Sequence, residues 1–95
     1  MGSTYLEIAS PVENTVNTSE PSIIIKGKTD FSNKLTINNE QVYLEKDGTF
    51  EKEYELQDWL NTFEILAKKF LGREVKIIKK IKKQTEEEPG SELNS

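Results

Sequence analysis

Seventeen Asp and Glu and thirteen Lys and Arg carry most of the reactive groups of this 95-residue chain, which has no Cys and no His. Thiol nucleophiles, disulfides, soft metal sites and imidazole acid–base work are therefore absent together. Glu51, Glu53 and Glu55 alternate along a strand-like run, which spaces them about 7 Å apart on one face. A carboxylate pair hydrolyses glycosides when one acid has a raised pKa in a cleft and the two face each other ~5–10 Å apart across a sugar. A ladder on one exposed strand has neither property. It reads as a solvated face that also discourages edge pairing. Asp47-Gly48 has the chemistry of a tight turn. A calcium loop needs several close oxygen ligands, and only Glu45 lies near. The sequence therefore predicts no catalytic residues, no cofactor-binding set and no metal site.

Two other groups are candidates for binding. The run from Lys76 to Lys83 can attract nucleic acid, anionic wall polymer or lipid headgroups by charge, with Lys76, Lys79 and Lys80 as the residues to test. Nucleic-acid readers interleave stacking aromatics with their cations, and this run has none, so no nucleic acid is expected. The plainer reading is a Lys-rich outer strand face. Trp59, with Tyr43, Tyr54 or Phe31, has the amphipathic surface of a sugar or partner platform. Its alternative role is to cap the end of a small core.

Charge is segregated along the chain. Residues 1–67 hold five Lys and twelve acidic groups, residues 68–83 hold eight cations against Glu74, and residues 84–95 hold four Glu. No run approaches the ~18–20 apolar residues of a membrane span, and no signal peptide is visible. One domain is the limit at this length. Residues 1–4 read as an appended leader or disordered segment, residues 5–83 as the folded unit, and residues 84–95 as a disordered acidic tail.

Short β-prone runs must position these groups. Tyr5 to Ala9 stops at Ser10-Pro11, because Pro lacks a ladder donor. Val12 to Pro21 reads as a crossing loop with Val16 inward. Ser22 to Thr29 carries three successive β-branched residues, which suit a pleated strand. There Ile23, Ile25 and Gly27 face in, and Gly27 marks a bulge or close backbone approach. Leu35 and Ile37, then Val42 and Leu44, alternate inward on either side of Asn38-Asn39, a two-residue hairpin signal. Phe50, Tyr54 and Leu56 follow the Asp47-Gly48 turn. From Leu56 to Leu71 two periods compete. Leu56, Trp59, Leu60, Phe63, Leu66 and Phe70 fit a helix, whereas Phe63, Ile65 and Ala67 fit a strand. The regular spacing of the other β signals favours the strand. Val75 to Ile81 is the last strand.

In order, Ile8-x-Ser10-Pro11, Ile23-x-Ile25-x-Gly27-x-Thr29, Leu35-x-Ile37-Asn38, Val42, Asp47-Gly48-x-Phe50, Leu56 and Asn61-x-Phe63-x-Ile65-x-Ala67 form a recognisable succession. This set resembles a bacterial immunoglobulin-like domain of the glucodextranase domain B group, over about residues 5–83. The resemblance implies an all-β, immunoglobulin-like Greek-key β-sandwich of about seven strands. It further implies a non-catalytic accessory or spacer module, on the extracytoplasmic side, in an exported or membrane-anchored bacterial protein. Two positions depart from the group: Asn39 stands where it usually has Gly, and Asp58-Trp59-Leu60 replaces a stretch with Gly before Asn61.

The expected partners are other domains of the same polypeptide or cell-surface proteins, with no membrane insertion by this chain, and a monomer or weak homodimer. The competing reading is a module that binds carbohydrate or cell-wall polymer through Trp59 and the basic last strand. A third is a cytosolic helical adaptor built on residues 56–83.

Overall fold

A computed structural model of the chain describes residues 5–84, so the leader and nearly all of the acidic tail lie outside the described residues. Eight strands run in order: β1 Leu6–Ser10, β2 Thr15–Thr18, β3 Ser22–Thr29, β4 Lys34–Ile37, β5 Glu40–Gln41, β6 Thr49–Glu55, β7 Trp59–Lys68 and β8 Glu74–Lys83. They form a three-stranded sheet, β1-β3-β6, and a five-stranded sheet, β2-β8-β7-β4-β5. The chain is an all-β sandwich. No helix occurs among the described residues, so the helical period of residues 56–71 is overridden by context.

Alternation explains the core. Ile25 and Phe50 come from the smaller sheet; Leu35, Ile37, Phe63, Ile65, Ala67 and Ile81 come from the larger, with Val42, Leu44 and Leu56 closing the space between. Ile23 packs against this cluster and is only half-buried. Burying each large aliphatic or aromatic side chain is worth about 1.5–3 kcal/mol. In β7 apolar residues occupy both faces, because Leu60 and half-buried Leu66 sit on the outer one. That double occupancy is what imitates a helix.

Three details correct or sharpen the expectation. Val42 to Glu45 reads as a strand, yet only Glu40–Gln41 is paired as β5. The segment keeps the expected burial, Val42 and Leu44 in and Tyr43 out, while crossing from one sheet to the other. The Val12–Pro21 loop contains β2, which lies parallel to β8 with Val16 opposite Ile81. Gly27 is a close approach: a Cβ there would strike the Glu7 carbonyl oxygen and the Phe50 ring, the latter at 2.5 Å.

The turns follow local chemistry. Asn38 and Asn39 take φ of 52° and 70°, as a two-residue hairpin of primed type requires. The Asn38 side chain also ties β4 to β7, accepting from Glu64 N–H at 2.9 Å and donating to the Thr62 carbonyl at 3.2 Å. Asp47 accepts from the Thr49 hydroxyl at 2.7 Å and its N–H at 3.1 Å. These bonds, the hydroxyl foremost, hold the Asp47 carboxyl below its ordinary 3.8. Asp30 does the same with Ser32 and is lowered by the same kind of bonds, the backbone one first.

A carboxyl whose folded pKa is depressed stabilises the fold above the unfolded value, and that contribution is lost as pH falls through the folded value. Thermal stability should therefore decline as pH drops below 3.8. Asp47→Ala should flatten that decline in melts run across the acid range. An identical acid slope in the variant would remove Asp47 from the account.

Candidate functional site

Strand parity divides the basic run. Val75, Ile77, Lys79 and Ile81 point toward the core side of β8, and Lys76, Ile78, Lys80 and Lys82 point out. Lys79 is 3% exposed. Its ammonium donates to the Val12 carbonyl at 2.9 Å, the Glu13 carbonyl at 3.1 Å and Asn14 Oδ1 at 3.0 Å. Burial pushes its pKa down from the ordinary 10.5, against the pull of Glu13. This corrects the sequence reading: Lys79 clamps the β1–β2 crossing to β8 and is withdrawn from any binding face. The clamp is completed by Lys80 N–H, which donates to the Asn14 carbonyl at 2.8 Å.

Lys76 and Lys80 are exposed on the outer face of the larger sheet, as expected. Lys76 pairs with Glu64 at 3.1 Å, both side chains about half exposed. Such a pair is worth at most ~1 kcal/mol in solvent. Ile78, 43% exposed, lies mid-strand between Lys76 and Lys80, and Leu60, equally exposed, lies at the Trp59 end opposite Lys82. Glu51, Glu53 and Glu55 lie on the outer face of β6, in the other sheet. The acidic ladder and the basic strand thus occupy opposite sides of the sandwich and do not neutralise each other within one copy.

Trp59 begins β7 and is 64% exposed, so it does not cap the core. Its φ is 78°. A bulky residue in that region costs about 1–2 kcal/mol relative to the right-handed alternative. Asn61 holds the turn by accepting from Gln57 N–H at 2.8 Å and donating to the Gln57 carbonyl at 2.9 Å. Lys82 Nζ stands 5.5 Å from the indole centroid, and Lys83 reaches Asp58 at 3.7 Å. The result is an indole presented to solvent with a cation against its face.

Tyr43 is 76% exposed and lines an open cleft with Lys26, Gln41, Phe50 and Lys52. It does not join Trp59. Gln41 faces Thr36, which faces Leu66, and Leu66 lies seven residues from Trp59, roughly 23 Å along the strand. The expected surface of Trp59, Tyr43, Lys76, Lys79 and Lys80 therefore divides. Lys76 and Lys80 lie on the outer face of β8, a face that ends at Lys82 beside Trp59; Lys79 is buried, and the Tyr43 cleft is separate.

The sequence reading missed the β7–β8 apex, where Phe70 is 83% and Leu71 89% exposed. The signal was available: two large apolar residues directly before Gly72, in a turn between two strands. Among the described residues no three acidic side chains converge as a metal site. The chain matches no protein-family model and no curated protein.

Proposed function

We propose that this chain is a non-catalytic immunoglobulin-like module that spaces or presents other domains, or engages cell-surface proteins, in an exported or membrane-anchored bacterial protein. The observation that carries the proposal is the strand order. The split first strand contributes β1 to one sheet and β2 to the other, β3 and β6 join β1, and β8-β7-β4-β5 complete the second sheet. That arrangement supports a Greek-key topology of the immunoglobulin kind, in which the paired sheets carry strands A-B-E and G-F-C. The two places where the resembling group usually carries Gly, position 39 and the stretch Asp58-Trp59-Leu60 before Asn61, add support. Asn39 and Trp59 both take positive φ here, the conformation that glycine permits most easily. The absence of His and Cys fits a scaffold that does no chemistry of its own. The purified chain, incubated with a panel of polysaccharides and peptidoglycan fragments, should release no products. Turnover at an ordinary enzymatic rate would overturn the proposal.

A second reading has its own observation. The strained, exposed indole of Trp59 beside Lys82 suits a module that stacks on carbohydrate or wall polymer. Under that reading, titration with glycans and anionic wall polymers changes the fluorescence of Trp59, and Lys82→Ala weakens the response. A flat titration at high ligand concentration removes it.

A further inference from the structure

We propose that the β7–β8 apex docks on an anionic phospholipid surface, with Phe70 and Leu71 entering the interface and Lys34 and Lys68 seating a headgroup phosphate. Phe70 and Leu71 are the most exposed large apolar residues described. They occupy the middle of a turn closed by Gly72 N–H on the Lys69 carbonyl at 2.9 Å. Leu71 takes φ of 54° there. The third position of such a turn favours Gly, yet this chain places Leu in it and Gly one residue later. A backbone conformation that is unfavourable and buries nothing within the chain points to a use outside it.

The charges below the apex point to the kind of surface. Lys34 and Lys68 are direct cross-strand partners. Like charges set opposite each other repel, and an anion between them relieves the repulsion. A cleft lined by Ser32, Lys34, Lys68, Phe70 and Leu71 joins this pair to the apex. Phe31, 56% exposed, extends the apolar group from the adjoining turn. Lys69 and Arg73 add two cations. Asp30, which feels the charge of Lys69, and Glu74, the cross-strand partner of Lys68, oppose them. The seat for the phosphate is the Lys34–Lys68 pair itself.

The size of the apolar group selects among occupants. Three side chains of this kind offer roughly 500 Å². A stable protein interface needs about 800 Å² from each partner. A small convex point above a lysine pair is instead enough for reversible interfacial docking on anionic lipid. The sequence expectation of no membrane insertion weighed spanning segments, which interfacial docking does not require.

The test is co-sedimentation of the full chain with vesicles of phosphatidylcholine alone or with three parts in ten phosphatidylserine. Binding is expected on the mixed vesicles, about tenfold weaker on phosphatidylcholine alone, and weaker again at high salt. Phe70→Ser with Leu71→Ser, and separately Lys34→Gln with Lys68→Gln, should each reduce it about tenfold. Leu71→Gly should raise Tm by relieving the turn and still lower vesicle binding, separating stability from docking. No binding to the mixed vesicles, equal binding to both lipids, or full binding by the folded apex variants would overturn the proposal.

Discussion

Gly48→Val should lower Tm by about 15 °C, from a loss near 3 kcal/mol and roughly 4–8 °C per kcal/mol for a domain of this size. Gly48 takes φ of 88°, a region that costs an L-residue about 1–2 kcal/mol. A Cβ there would also strike the Thr29 carbonyl oxygen, whose carbon lies 3.0 Å away. That backbone cannot yield freely. Thr29 N–H donates to the Gly48 carbonyl at 2.9 Å, a bond worth about 1 kcal/mol net. Thr29 is itself fully buried, with its hydroxyl donating to the Tyr5 carbonyl at 2.6 Å and accepting from Asn33 Nδ2 at 3.0 Å. Displacing it disturbs the start of the chain and the β3–β4 turn together. Gly72→Ala is the control. Its Cβ would meet only the flexible Lys69 side chain, at 3.0 Å or more, and Tm should move little. Equal Tm values for the wild type and Gly48→Val would contradict the turn described here.

Lys79→Ala should cost about 2–3 kcal/mol, whereas Lys80→Ala should stay within ~0.5 kcal/mol. The difference lies in what each ammonium does. That of Lys79 satisfies three oxygens of the β1–β2 crossing, and its stem fills space beside Ile77 and Ile81. Lys80 points into solvent. Lys79→Met retains most of the stem volume but leaves the same three oxygens without their donor, so it should lose about 2 kcal/mol. Amide exchange adds a local readout. In both Lys79 variants the Lys80 amide, bonded to the Asn14 carbonyl, should exchange faster than the amides of the β7–β8 ladder. Urea melts in which Lys79→Ala and Lys80→Ala coincide would show that the clamp contributes nothing.

Most of the sandwich was legible because burial follows a period of two. Ile25, Leu35, Ile37, Phe63 and Ile65 are all inward, as their alternation predicts. The same rule, applied strictly to Val75-x-Ile77-x-Lys79-x-Ile81, places Lys79 inward. The density of lysines around it hid that parity and made the run look like one charged face. The β2–β8 pairing had no local signature, since parallel partners more than sixty residues apart leave no mark in either segment. Alternation also predicts burial without predicting a ladder, which is why Val42 and Leu44 are buried in a segment that is largely unpaired. The backbone strain at the apex and at Trp59 was unreadable for a third reason. Sequence places positive φ at Gly and Asn, and here Leu71 and Trp59 hold it. Of the candidate surface, the exposure of Tyr43, Lys76 and Lys80 was readable from strand parity. The separation of Tyr43 from Trp59 was not, because it depends on which strands lie between them.

The outer face of the larger sheet and the clamp beneath it depend on β8 lying with Lys79 inward and with Lys76 and Lys80 outward. Acetylation of the native chain by limiting reagent, followed site by site with mass spectrometry, tests that most directly. Lys76 and Lys80 should be labelled rapidly. Lys79 should be labelled about tenfold or more slowly, catching up only in denaturant, because the folded clamp must open first. Labelling of Lys79 at the rate of Lys80 in the native chain would contradict the account.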